Sequence, residues 1–191
     1  MGSAQSDNGG KFKEVKVVIA GMPGAGAKSL VMRFTSHVWL ERPPPGGGWE
    51  PLARPFERIQ LLMLPIGSSQ GLWEQIADAD VLAFAVDGHD AFDEAKFSSA
   101  FNKAVSSLPE GAPVMILVNK VDADPDDDSK EAAAAVANSH GADIQAKCSA
   151  AAASCSASSA VRQCKAYLVS AKTGYGSEEA IRAMCGVRLI F

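Results

Sequence analysis

Val15-Lys16-Val17-Val18-Ile19-Ala20, followed without a break by Gly21-Met22-Pro23-Gly24-Ala25-Gly26-Ala27-Lys28-Ser29, is the stretch that decides the fold. The first six residues form a short apolar run closed by glycine, which predicts a buried strand. Residues 21–28 make a glycine-rich turn, and residues 29–38 have helical composition. Working outward, four more apolar runs recur: residues 56–64, stopped by Pro65; 81–86, ending at Asp87-Gly88; 114–118; and 166–169. Helices are expected between or after them. One spans about residues 69–79. Another runs from an Asp90 N-cap to about Leu108, with Phe97, Phe101 and Val105 on one face, and a last one is capped by Ser177. Fully apolar strands alternating with helices predict an α/β fold, a mostly parallel central sheet with helices on both faces. Ligands of such sheets bind at the carboxyl ends of the strands, where the loops of interest lie.

Composition narrows the function classes. With 191 residues the chain has room for one domain, expected over residues 14–191 after a polar tail of residues 1–13. A net charge of −4 argues against a nucleic-acid partner, since phosphate binding needs a basic excess. No apolar run approaches the roughly 18 residues of a membrane span, and the polar start is not a secretory signal. The four cysteines lack CxxC spacing and are expected as reduced thiols in a cytoplasmic protein. Residues 131–160 hold 13 alanines and 6 serines, so they are expected to bury little and to form one or two marginal helices with a mobile connection, as an insertion.

The turn after the first strand has the context of a phosphate-binding loop. Glycines let backbone N–H groups converge on phosphate oxygens beside the positive end of a helix, and Gly21, Gly24 and Gly26 are placed for that. Lys28 adds a point charge, and the Ser29 hydroxyl is a candidate Mg²⁺ ligand. The pattern GxxxxGK[ST] wants lysine directly after its last glycine, and Ala27 intervenes. Either the loop carries one extra residue, or Ala27 takes the last glycine position and Met22 the first. The first arrangement rotates the lysine by about 100° unless a bulge absorbs it. The second puts a methyl group where backbone should approach phosphate.

Two further motifs follow later strands: Asn119-Lys120-Val121-Asp122 and Ser170-Ala171-Lys172. With them the chain resembles the Ras-like small GTPase superfamily, in the order and spacing of its loops from residue 15 to 191. The resemblance implies a P-loop G domain that binds GTP or GDP. It implies that Asp122 selects guanine through hydrogen bonds to the base, that Asn119 ties the loops together and that Lys120 packs over the ring. It implies too that the Ser170-Ala171-Lys172 loop supports the base through a backbone N–H.

The parts that hydrolyse GTP in that family do not map onto this chain. Its two threonines, Thr35 and Thr173, both lie outside the first switch loop, and residues 37–67 contain no serine or threonine. The DxxG equivalent is Leu64-Pro65-Ile66-Gly67, followed by Ser68 where the family has a glutamine; Gln70 comes two positions late. Phosphoryl transfer depends on metal and positioned water, so hydrolysis is expected to be very slow or absent, with no latch for a GTP/GDP switch. Two functions therefore stay open: an atypical GTP-binding protein acting without turnover, and a nucleotide-free pseudo-GTPase serving as scaffold in a transport, ciliary or cytoskeletal assembly.

The remaining signals concern partners. Trp39 and Trp49 flank a proline-glycine loop, and protein partners are expected through residues 39–55 and the insertion. The start Met1-Gly2-Ser3-Ala4-Gln5-Ser6 matches a myristoylation pattern, so Gly2 is a lipidation candidate and the only expected route to peripheral membrane contact. The acidic run of residues 122–128 reads as a solvated helix-capping loop, lacking the glycine and glutamate of a calcium loop. His37, His89 and His140 are scattered and are expected in structural or surface roles.

Overall fold

A computed structural model describes residues 13–37, 52–56, 59–65, 76–122, 130–156 and 164–186. The tail with Gly2, most of the 39–55 loop with Trp39 and Trp49, residues 66–75 and the acidic residues 123–129 lie outside the described residues. The elements are β1 (Lys13–Gly21), α1 (Ala27–Ser36), β2 (Leu52–Phe56), β3 (Ile59–Pro65), β4 (Val81–Asp87), α2 (Glu94–Ser106), β5 (Val114–Asn119), α3 (Lys130–Ser156), β6 (Cys164–Leu168) and α4 (Ser177–Gly186).

The strands form one sheet in the order β2-β3-β1-β4-β5-β6. Every neighbouring pair is parallel except β2 with β3. The fold is therefore α/β with a mostly parallel sheet. β2, a second short strand before β3, was not expected. It contains Pro55, tolerated because β2 is the edge strand and pairs on one side only.

Side chains alternate across the sheet, and each face has its own core. On one face Val15, Val17, Ile19, Ala83, Ala85, Met115 and Leu117 pack with Leu30, Val31 and Phe34 of α1 and with Ile181 and Met184 of α4. On the other, Val18, Leu82, Phe84, Ile116 and Val118 pack with Phe97 and Phe101 of α2 and with Ile144 and Cys148 of α3. The chain leaves β1 toward one face and β4 toward the other. A crevice therefore opens where the carboxyl ends of these two adjacent strands diverge, the position at which doubly wound sheets bind ligands.

Three helix expectations need correction. α2 is capped by Asp93, not Asp90: the Asp93 carboxylate accepts the Lys96 N–H at 3.0 Å. The residue before this cap, Phe92, packs its ring on Phe97 at 5.4 Å, so a hydrophobic staple fixes the helix start three residues later. Over residues 130–156 the alanine-rich stretch is one continuous helix, α3, which is within the expectation of one or two helices, but its second half is packed in the core where little burial was expected. Ile144, Cys148, Ala151 and Ala152 form a narrow buried stripe on the sheet, and Gln145 Nε2 donates to Ala166 O at 2.5 Å. Small side chains let this helix approach closely; a Cβ on Gly141 would come within 2.8 Å of Val121 Cγ1. Ser177 is the first residue of α4, but its buried hydroxyl has no hydrogen-bond partner among the described residues, so it is not a side-chain cap. Of the helix expected over 69–79, only the end is described, and Ile76 to Asp78 there form a short turn.

Candidate functional site at the carboxyl ends of the strands

The loop after β1 is shaped by a turn. Met22 O accepts the Ala25 N–H at 3.1 Å, with Pro23 second and Gly24 third in the turn at φ 82°. Proline followed by a positive-φ glycine is the residue pair a type II turn demands. Met22 N–H is held by Ala85 O at 3.0 Å, which pins the turn to the end of β4. α1 then starts from Gly26, itself left-handed at φ 82°, and its first intrahelical bond runs from Leu30 N–H to Gly26 O at 2.9 Å. The N–H groups of the first turn, which includes Lys28 and Ser29, precede that bond and point toward the crevice with the positive end of the helix. Both residues are partly buried. Neither Met22 nor Ala27 is turned wholly outward: each packs against the hydrophobic core.

Asn119, at the end of β5, is the hub. It is 1% exposed, and its Nδ2 donates to Ala25 O at 2.8 Å while its Oδ1 accepts the Ala171 N–H at 3.0 Å. One amide thus joins the loop after β1 to the loop after β6. Amide and amide-like partners of this kind are needed at such depth, because a buried unpaired carboxamide costs about 1–3 kcal/mol. Lys120 follows in a left-handed conformation, φ 66°, which non-glycine residues rarely adopt outside sites that need it. Its ammonium pairs with Asp87 Oδ2 at 2.5 Å. Asp122 Oδ1 accepts the Ser170 hydroxyl at 2.7 Å, and Ser170 Oγ in turn accepts the Thr173 N–H at 3.0 Å. The carboxylate is therefore oriented by the same loop that Asn119 holds.

The loop after β6 closes on itself through Ser170 N–H to Tyr175 O at 2.9 Å and Gly174 N–H to Ser170 O at 2.8 Å. It is also gripped from α1. Arg33 Nε donates to Ala171 O at 2.6 Å, one terminal nitrogen donates to Lys172 O, and the other donates to His37 O at 2.7 Å.

All the expected site residues after β1, β5 and β6 thus lie at one end of the sheet: Gly21, Gly24, Gly26, Ala27, Lys28 and Ser29 on one side, Asn119, Lys120, Asp122, Ser170, Ala171 and Lys172 on the other. The Ala171 N–H is already taken by Asn119 Oδ1. Two residues were not singled out from the sequence, Asp87 and Arg33. Asp87 binds Lys120 and, through Oδ1, the His89 N–H at 2.9 Å. His89 is exposed, as expected, but its Nε2 lies 3.2 Å from Asp122 O, which places it beside the site. Asp87 at a strand end carried a legible signal; Arg33, inside a helix, carried none.

For a divalent cation the loop after β1 offers the Ser29 hydroxyl, and no group of three His, Cys, Asp or Glu that could hold a metal ion occurs among the described residues. Mg²⁺ demands near-octahedral oxygen ligation, of which the Ser29 hydroxyl would supply one ligand. Both threonines are engaged elsewhere: Thr35 Oγ1 donates to Val31 O at 2.7 Å within α1, and Thr173 Oγ1 accepts the Tyr175 N–H at 3.3 Å. A separate hollow of about 370 Å³ lies at the outer edge of β6, between Gln145, Lys165, Tyr175 and Glu179. None of the described helices is long and apolar enough to cross a membrane. Comparison with protein families and with curated proteins found no match.

Proposed function

We propose that the chain is an atypical Ras-like GTP-binding protein that holds GTP or GDP and acts by binding, with little or no turnover. Phosphates lie on the Gly21–Ser29 loop and the N-terminus of α1; the base lies against Asp122, with the Lys120 stem over it. The observation that carries this reading is the Asn119 amide bridging Ala25 and Ala171 while Ser170 orients Asp122. Three motifs far apart in sequence are locked into one arrangement, with a carboxylate on one side of the crevice and a glycine-rich helix start on the other. Met22 and Ala27 pack against the core, which is compatible with a cradle left to the backbone N–H groups of the loop.

Chromatography of nucleotide released from denatured protein tests this. The expected result is guanine nucleotide, lost in Asp122→Ala. An empty extract, with no thermal shift on adding GTP or GDP, refutes it. Multiple-turnover hydrolysis is expected to match a buffer control with or without Mg²⁺.

A scaffold function without nucleotide is favoured by a different observation. Polar groups of the site satisfy one another: Ser170 with Asp122, Ala171 with Asn119, Lys120 with Asp87. On that reading the protein is a cytoplasmic docking module of a transport, ciliary or cytoskeletal assembly, and the extract is empty while partner binding persists.

A further inference from the structure

Arg33 sits in the last turn of α1, away from the glycine-rich loop, yet its guanidinium reaches three backbone carbonyls, those of Ala171, Lys172 and His37. A planar fork of donors suits this, because one rigid group can hold two adjacent carbonyls of a loop at once. The bonds are charge-assisted, hence stronger than neutral ones. Both polar backbone atoms of Ala171 are then fixed: N–H by Asn119, C=O by Arg33.

Following these bonds gives a closed circuit. Ala25 in the phosphate-loop position binds Asn119, Asn119 binds Ala171, Ala171 binds Arg33, and α1 carries Arg33 back to Gly26 beside Ala25. The helix link spans only six residues from Ala27, about 9 Å of rigid rise. A shift of the helix start is therefore a shift of the loop after β6, and the reverse.

We propose that Arg33 is a positioning residue that couples the anion-binding end of the crevice to the base-binding end, so that phosphate and purine bind cooperatively. The coupling rests on the nucleotide-binding reading above; the clamp itself does not. Arg33 touches neither phosphate nor base. An anion seated on the first turn of α1 stiffens the helix start, and the circuit passes that order to Ser170 and so to Asp122. Linkage makes the effect reciprocal.

The test compares wild type with Arg33→Met, which keeps the apolar stem and removes the donors, and with Arg33→Lys, which keeps charge but not the fork. The first readout is amide hydrogen exchange in nucleotide-free protein. Ala171, Thr173 and Gly174 are expected to exchange about tenfold faster or more in Arg33→Met, with β4 amides unchanged and Arg33→Lys in between. Equal loop exchange in all three proteins overturns the clamp. The second readout uses pyrophosphate and guanosine as separate probes. In wild type each is expected to raise the affinity of the other about tenfold. In Arg33→Met that enhancement is expected to vanish while pyrophosphate alone binds within about twofold of wild type. Undiminished enhancement in the variant overturns the coupling. If wild type binds neither probe, the nucleotide-binding reading fails and the coupling with it, while the exchange result still decides the clamp.

Discussion

Replacing Gly26 by alanine isolates the contact on which the site is built. Gly24 and Gly26 share the same left-handed backbone, φ 82°. A Cβ at Gly24 meets nothing within 4 Å, whereas a Cβ at Gly26 would stand 2.7 Å from Asn119 Nδ2. Gly24→Ala therefore carries only the left-handed cost of a side chain, about 1–2 kcal/mol. Gly26→Ala carries that cost and also pushes Asn119 away from Ala25 O and Ala171 N. A buried amide losing its partners adds about 1–3 kcal/mol, for a total of about 2–5 kcal/mol. In urea denaturation this separates the two midpoints by on the order of 1 M. The cycle closes with Asn119→Ala, in whose background Gly26→Ala is expected to cost no more than Gly24→Ala, since the obstructing amide is gone. Equal midpoints for the two single variants in the wild-type background would refute the hub assigned to Asn119.

Other perturbations follow from the same contacts. Phe101→Ala removes a fully buried ring that stacks on Phe97 at 5.2 Å and meets Phe84 edge-on at 5.5 Å, so a loss of about 3–5 kcal/mol in equilibrium unfolding is expected. Burial pushes the Cys148 thiol up to about 12 and the Cys164 thiol up to about 11 from 9.0. Native protein at pH 8 is therefore expected to resist alkylation at both until unfolded, as mass spectrometry of labelled peptides will show. Because both folded-state values are raised, their stabilising contribution is complete below about pH 9 and lost as pH rises toward 11–12, so denaturation midpoints should fall across that window. Asp93 has its carboxyl held below the ordinary value, chiefly by the Lys96 backbone N–H. Its capping contribution is expected to be present at neutral pH and to fade as acid protonates it through that lowered value; Asp93→Asn, which still caps, should weaken this acid dependence in circular dichroism of α2.

Local chemistry made much of the molecule legible. The runs at 15–20, 81–86 and 114–118 are apolar on both faces, which only a covered parallel sheet satisfies, and β1, β4 and β5 are buried on both faces. Composition alone understates the burial of α3: a stripe of one isoleucine, one cysteine and two alanines is weak as an average but sufficient when a sheet lies one small side chain away. Asp90, Asp93 and Glu94 lie within five residues and all suit a helix start by type; the Phe92–Phe97 contact selects Asp93 as the cap.

From the chain alone came the glycine-rich turn, the Asn119–Asp122 and Ser170–Lys172 motifs and their place after strands, because residue type and short-range order are local properties. Only the folded chain decided which groups meet: that Asn119 spends its amide on Ala25 and Ala171, that Asp87 holds Lys120, that His89 sits beside Asp122, and that Arg33 grips the loop after β6. The reason is distance along the chain. Arg33 and Ala171 are 138 residues apart. No periodicity or propensity reaches that far; the parallel order β1-β4-β5-β6 brings their loops to one edge, and hydrogen-bond geometry then selects the partners.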